Sequence, residues 1–488
     1  MKNFNYHFVM GTVGVILMIE ALFMLLSALI GEIYHEPSVN SLYLSAAITF
    51  VAGGILGLLS LYKRGRKRIS KREVYLTVTS VWLLMALFGT LPYLLSNTIP
   101  VFSDAYMESM SGFTTTGSTT LVDIESFPKS ILFWRSFTQW IGGIGIVVFV
   151  LSFLHLYGAG PAHLYSAEAT GFSKDQLRQR INETARTVSI TYIVLTIAGF
   201  LLLWAGPMDA FDAACHSFTS ISTGGFSTKQ ASIAHFGSAY VEYVIIFLMF
   251  SGGVRFVLLF LLFRHFSGKI FKDEEFRWYA LSTLGFTILI TIKLLVDGVH
   301  IGNVESTFRT SLFQVTSALT STGLATIDFV QWGEFYWLIF LSMFLFCGSE
   351  GSTSGGMKLS RLIILVKSTR IALLRQVHPK AIYNVKINSQ TYSSRIVEKV
   401  LAFIFLYLSI TGIGAVLLSL NGLTFDESIS AALSSMSNYG LALGKLGPSG
   451  NFSSLNSFSK YLLSFMMMIG RLEVFTVLSL FFPSFWRK

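Results

Sequence analysis

Apolar runs of about 20 residues, the length that crosses a bilayer as a helix, recur from one end of this 488-residue chain to the other. They fall at roughly 8–30, 42–62, 73–95, 128–157, 186–205, 237–264, 277–297, 332–376 with an interruption, 396–419 and 457–482, about ten in all. Hydrocarbon offers no partner to backbone N–H and C=O groups, so such runs must satisfy them internally as helices. The expected fold class is an all-α membrane protein. Composition matters here only as a check: 13% of residues are charged and mean hydropathy is +0.62, against roughly 25% charged in a soluble domain.

The first run is too long for the apolar region of a signal peptide, contains Glu20 and is followed at once by a second run. It is expected to stay in the membrane, with Glu20 pairing to another helix. Cys215 and Cys347 both lie in or beside apolar segments, which leaves no disulfide framework and no metal cluster.

The formal charge of +10 would suit a nucleic-acid surface, but its placement argues for orientation in a membrane. Lys63 to Arg72, Lys174 to Arg186, Arg264 to Arg277 and Lys358 to Lys399 fill alternate connections. Connections 31–41 and 96–103 hold no Lys or Arg, and 121–129 holds only Lys129. By the positive-inside rule the basic connections are cytoplasmic, and both termini with them. Nucleic acid is not an expected partner; membrane lipid is. The Asn182-Glu183-Thr184 triplet falls in a cytoplasmic connection, so its match to a glycosylation acceptor carries no weight.

Between successive cytoplasmic clusters the chain repeats one plan four times. A span leads to a Phe with acidic residues, then to a Ser/Thr-rich segment ending in glycine, then to a second span. The stretches are Phe102-Ser103-Asp104 to Gly117, Phe211-Asp212 to Gly224, Phe308-Arg309 to Gly323 and Phe425-Asp426 to Gly440. A helix of about a dozen residues, about 18 Å at 1.5 Å per residue, is too short to cross and must enter and turn back. Non-helical backbone at that depth is tolerated only inside protein or along a water-filled path. Four such loops around an axis would offer carbonyls, with Thr and Ser oxygens below, in place of an ion's hydration shell. The C-terminal ends of the half-helices would favour cations. The filter residues are then Thr116 and Gly117, Thr223 and Gly224, Thr322 and Gly323, and Asn438, Tyr439 and Gly440, supported by Thr115, Ser222 and Ser321. The acidic residue near each start is expected to cap its helix, with Arg309 as the exception. Gly142, Gly143 and Gly145 are expected to let helices approach closely.

In the third repeat the second span is interrupted at 348–357, where Gly348, Gly351, Gly355 and Gly356 with Ser352, Thr353 and Ser354 cannot sustain a helix. Arg471 lies in the corresponding part of the fourth repeat, and an intramembrane Arg faces inward with a partner. Glu350 or the carbonyls of 348–357 would serve; a simple packing kink with an Arg471–Glu473 pair is the plainer alternative.

The motifs Ser111-Gly112-Phe113-Thr114-Thr115-Thr116-Gly117, Ile221-Ser222-Thr223-Gly224-Gly225-Phe226, Thr320-Ser321-Thr322-Gly323 and Gly348 to Lys358, with Gly470-Arg471-Leu472-Glu473, resemble those of the TrkH/KtrB/HKT superfamily of potassium transporters. Two spans precede the first repeat, as in its TrkH branch. The resemblance implies two N-terminal helices (1–69) and four pore repeats at 70–160, 161–268, 269–385 and 386–488. It also implies a bacterial inner-membrane homodimer with one pore per protomer. Transported K+ would lie at Thr115, Thr116, Ser222, Thr223, Ser321, Thr322 and Asn438, with potassium preferred because the first loop has Gly117. The loop 348–357 would act with Arg471 as a gate, under a cytosolic TrkA-like nucleotide-binding subunit. The fourth loop, Asn438-Tyr439-Gly440, departs from the Gly-Pro-Gly associated with many relatives, and Gly253-Val254-Arg255 brings a charge where many are neutral.

Two rival classes fit less well. A secondary transporter of another solute predicts inverted repeats and a side-chain site at midplane, whereas these repeats share one orientation. An enzyme needs a positioned acid/base pair, nucleophile or metal ligands, and the 9 His show no ligand spacing; His216 is expected to pack or hydrogen-bond. This chain has no dinucleotide fingerprint and no organic cofactor is expected.

Overall fold

A computed structural model describes residues 4–61, 70–156, 174–265, 268–299, 302–381, 383–388 and 390–487. Most of the first basic connection, 62–69, lies outside the described residues.

Every apolar run is helical. Six helices are long and apolar enough to cross a membrane as single rods: Tyr6–Ile33, Val39–Leu61, Lys71–Leu95, Glu183–Trp204, Glu274–Val296 and Ser394–Leu420. Two further pairs, Ala239–Gly253 with Phe256–Arg264 and Ser457–Leu472 with Val474–Phe481, qualify jointly, each bent by 113°. The helix Lys129–Leu156 covers the run at 128–157, and Glu334–Met343 with Leu359–Val377 covers the interrupted one. A two-stranded hairpin, Val385–Ile387 against Gln390–Tyr392, lies in the last basic connection.

The first two helices form a tight hairpin. A Cβ on Gly14 would meet the Gly53 carbonyl oxygen at 2.6 Å and the Gly57 amide at 2.8 Å, so small residues set the backbone approach. Glu20 is buried in the first of them, and neither carboxyl oxygen has a hydrogen-bond partner among the described residues. The expected interhelical pair is therefore absent, because helix packing there is apolar: Phe23 meets Phe137 edge-on and Met24 accepts from Thr49.

Four short helices, Phe102–Phe113, Ala210–Ile221, Val304–Leu319 and Phe425–Ser437, enter between the spans. The first three rest on the second span of a neighbouring repeat as well as on their own. Lys129–Leu156 packs on the second short helix, Ala239–Gly253 on the third, and Ser457–Leu472 on the first. Phe344 of the third repeat meets Tyr439 of the fourth at 4.5 Å between ring centroids. The four repeats thus surround one axis in chain order.

The expected acidic caps are displaced. Asp209 and Asn303 accept from the amides of Asp212 and Ser306, and Thr424 forms a capping box with Glu427. Asp426 makes no cap; Asp212 accepts from Thr228 and pairs with Lys229, and Asp104 pairs with Lys460 at 2.7 Å. A side chain reaches the free amides from the residue before the helix, whereas Asp104, Asp212 and Asp426 already lie within the first turn. Arg309 pairs with Glu242 and Glu305.

Candidate functional site

Each short helix ends in the same turn. Thr115, Thr223, Ser321 and Asn438 are left-handed, with φ between +53° and +55°. The amide of the next residue reaches back to the helix: Thr116 to Ser111, Gly224 to Thr219, Thr322 to Ser317 and Tyr439 to Ser434, all at 2.8–2.9 Å. The left-handed residue itself donates to Gly112, Ser220, Ala318 and Ser435 at 3.0–3.3 Å. This pair of bonds is the Schellman termination, but glycine, its usual left-handed residue, is replaced by Thr, Thr, Ser and Asn. A β-branched residue in that conformation is strained and persists only where its surroundings over-determine it.

The surroundings are the other repeats. Two residues on, Gly117, Gly225, Gly323 and Gly440 have φ of +88°, +80°, +84° and +93°. A Cβ on each would overlap a carbonyl oxygen of the next loop: Gly117 on Gly224, Gly225 on Thr322, Gly323 on Tyr439 and Gly440 on Thr116. Glycine is required twice over, by its φ and by this approach. Four equivalent contacts close a ring, and Thr115, Thr116, Thr223, Thr322, Asn438 and Tyr439 are all fully buried in it. No donor among the described residues reaches the main-chain carbonyls of Thr115, Thr223, Ser321 and Asn438.

The ring corrects the register of the second loop. Gly225, not Gly224, is the counterpart of Gly117, and Gly224 is the counterpart of Thr116, Thr322 and Tyr439. Ser222 accordingly precedes the left-handed position that Thr115 and Ser321 occupy. With adjacent glycines the left-handed backbone can be assigned to either, and only ring closure decides. The fourth loop keeps the common geometry despite its different sequence: Asn438 fills the left-handed position, and its Nδ2 donates to Thr116 Oγ1 at 3.0 Å and to the Met467 carbonyl at 2.9 Å.

Residues 348–357 run directly against these turns. Gly355 N donates to Ser321 Oγ at 2.8 Å, Ser354 Oγ lies 3.1 Å from Ser321 Oγ, and Gly355 and Gly356 pack on Asn438 and Ser437. The same segment satisfies carbonyls freed by the bend in the second repeat. Thr353 N and Oγ1 donate to Gly252 O, Thr353 Oγ1 also to Ile221 O at 2.9 Å, and Ser349 N to Gly253 O at 2.9 Å. Gly348 N is held by Ser354 Oγ at 3.1 Å, and Ser352 Oγ donates to Ser349 O at 2.6 Å. Gly351, with φ +78°, is the exposed turn of the segment.

Arg471 donates to the Thr353 carbonyl at 2.7 Å and to the Gly142 carbonyl at 2.9 Å. Of the two expected partners the carbonyl is used and Glu350 is not; the Glu350 carboxylate accepts from Ser360. Nor does Arg471 pair with Glu473, which is held by Arg361 at 2.5 Å. Lys358 Nζ adds a second cation, donating to the Ser354 carbonyl. Arg255 is neutralised by Glu275 and donates to the Glu350 carbonyl at 3.1 Å.

Gly142 and Gly143 press on the Phe113 carbonyl and on Ser222 with Tyr192, as expected, whereas a Cβ on Gly145 would meet nothing within 4 Å. Sequence reasoning passed over Glu108, Arg135 and Gln139. All three are buried; Arg135 pairs with Glu108 at 2.6 Å, and Gln139 bridges the Gly224 carbonyl and the Phe226 amide at 2.6 and 3.1 Å. The available signal was a charge within an apolar run, which faces a partner by default.

Known proteins match this arrangement along its length. The model of the TrkH family, described as cation transport protein, matches residues 44–488. The Trk system potassium uptake protein TrkH of Salmonella typhimurium is 34% identical over 479 residues, covering 98% of each chain. The Trk system potassium uptake protein TrkG of Escherichia coli K12 is 32% identical over 478 residues, covering 97% of each. The crystal structure of the potassium transporter TrkH from Vibrio parahaemolyticus superimposes with a TM-score of 0.88 at 30% identity, covering 99% of this chain and all of that one. The four-repeat helical architecture and these similarities together make the chain a multi-pass membrane protein that belongs to the TrkH family of cation transport proteins.

Proposed function

We propose that this chain takes up potassium across a bacterial inner membrane through the ring formed by its four re-entrant loops. The observation that carries the reading is the ring itself: four turns with one backbone geometry, closed glycine against carbonyl. Carbonyls at membrane depth without a protein donor need water or an ion, and those of Thr115, Thr223, Ser321 and Asn438 are so placed. The names of the relatives supply potassium as the cation. Thr116 and Gly117, Gly224 and Gly225, Thr322 and Gly323, and Tyr439 and Gly440 then form the narrow part. The reading assigns no catalysis to the chain.

The segment 348–357 serves as the gate. Support for this comes from its contacts with the loop turns and from Arg471 and Lys358, which donate to its carbonyls; a bonded segment with two positive charges would oppose a cation passing the ring. Opening requires these bonds to exchange for others as the segment moves aside. The basic stretch around Arg370, Arg375 and Lys380 is the docking surface for a TrkA-like cytosolic subunit, and the protomer works as a homodimer with both termini cytoplasmic.

The test is flux in liposomes: purified protein should pass Rb+ and K+ well ahead of Na+, with or without a proton gradient. Solute-coupled uptake with no selective cation flux would overturn the reading. Docking is tested separately. Replacing 370–386 by a neutral linker should abolish co-purification with a cytosolic nucleotide-binding protein, and retained binding would remove that part of the proposal.

A further inference from the structure

About two helical turns before each left-handed residue, the four short helices carry Glu108, His216, Gln314 and Ala431. The first three do one job: each holds the strand that leaves the loop. Glu108 accepts from Thr119 Oγ1 at 3.0 Å and from Thr120 N at 2.8 Å. His216 Nε2 lies 2.9 Å from Ser227 Oγ, with Nδ1 2.8 Å from the Asp212 carbonyl. Gln314 Nε2 donates to the Ile327 carbonyl at 3.3 Å. Ala431 cannot do this, and there Ser430 Oγ takes the Leu443 amide at 3.0 Å.

Only the first of these residues is charged, and only it has a buried counter-ion. Arg135 reaches Glu108 through Nε at 2.6 Å, donates through Nη1 to the Ser227 carbonyl at 2.8 Å, and lies over the Phe226 ring at 3.6 Å. A continuous path of bonds therefore runs from Thr119 and Thr120 of the first loop through Glu108 and Arg135 to Ser227 of the second, where His216 also bonds. About one helical turn along the same span, Gln139 holds Gly224 and Phe226. Other ion pairs join neighbouring repeats, Arg309–Glu242 between the third and second and Lys460–Asp104 between the fourth and first, but neither includes the residue two turns before the left-handed position.

We propose that the Glu108–Arg135 pair is a positioning element for ion selection, fixing the first two filter strands against each other so that the Gly117–Gly224 contact keeps its spacing. A buried ion pair adds little net stability over well-packed apolar residues, because desolvation offsets the attraction. What it does supply is direction: a planar guanidinium with fixed donors admits one arrangement of its acceptors. The inference rests on reading the four loops as an ion filter.

Rb+ and Na+ fluxes through purified protein in liposomes test it, with the parent measured first. A parent with no Rb+ preference would defeat the filter reading itself. Given a selective parent, Arg135→Lys and Glu108→Gln should each lower the Rb+/Na+ ratio by about fivefold or more, the size expected for coupled neighbours, while Rb+ flux persists. The double variant Glu108→Gln/Arg135→Lys should fall short of the product of the two single effects. A merely structural role would reduce yield, melting temperature and all fluxes together with the ratio intact, and that result overturns the proposal. So does failure of all three variants to reach the membrane, which would make the pair a folding element only.

Discussion

The four loops and the four second spans that follow them obey opposite rules. The loops share the φ of the residue that ends each short helix within 2°, and the bond from the next amide back to the helix within a tenth of an ångström. The spans diverge: Lys129–Leu156 is unbroken, Ala239–Gly253 and Ser457–Leu472 each end in a 113° bend, and the third is opened between Met343 and Leu359. Repeats closed into a ring must present the same backbone to each other, whatever their side chains. Nothing imposes that condition on the spans. There, one helix's freed carbonyls are satisfied by another's irregular segment, as Gly252 and Gly253 are by Thr353 and Ser349. Likeness is needed where all four repeats meet one another, and difference is free where each span meets only its neighbours.

The comparison can be broken most directly in the second loop. Gly225→Ala puts a Cβ into the Thr322 carbonyl at a left-handed φ, and Rb+ uptake in liposomes should fall by about two orders of magnitude. Gly224→Ala meets the Gln139 side chain at 2.4 Å rather than backbone, and should lose less uptake than Gly225→Ala. The opposite order would restore the register read from sequence. On the asymmetric side, deleting 351–355 should raise basal Rb+ flux about tenfold and weaken its dependence on a regulatory partner. Arg471→Ala should raise flux less, since Lys358 still holds the Ser354 carbonyl. If both fold and conduct no faster than the parent, the segment is a packing kink. Gly117→Ser likewise drives a Cβ into a backbone carbonyl, that of Gly224 at 2.3 Å, so uptake should fall as in Gly225→Ala and the Rb+/Na+ ratio of the remaining flux should drop several-fold; an unchanged ratio in folded protein counts against the filter assignment. The smallest effect lies in the unbroken span. Gly145→Ala meets nothing within 4 Å and should raise stability by about 1 kcal/mol or less, whereas Gly142→Ala overlaps the Phe113 carbonyl and should cost about 2 kcal/mol or more in thermal unfolding.

Much of this architecture is legible in the amino-acid sequence itself. Apolar length gives the spans, and a Ser/Thr-rich segment too short to cross gives the re-entrant loops. The glycines at 117, 323 and 440 can be read because each stands alone; the pair at 224 and 225 cannot. The acidic caps are misread because Asp209, Asn303 and Thr424 lie ahead of the Phe residues that mark each segment in the sequence. The 113° bends carry no proline and depend on what packs alongside. Arg135 is visible as a charge in an apolar run, but its partner Glu108 lies on the preceding helix, and only the turn at 114–120 brings Thr119 and Thr120 back to the same carboxylate.

The ring also sets an order of events. Ser118 donates to the Gly440 carbonyl at 3.1 Å, and Asn438 to Thr116, across 322 residues of sequence. During synthesis, at roughly 5–20 residues per second, the first loop must wait for the fourth before its contacts exist. A chain released early carries three loops whose backbone at membrane depth has no wall to close against. It cannot close its ring, nor satisfy its own polar groups. The fourth repeat therefore decides whether the three translated before it become a closed ring or a substrate for the cell's proteases.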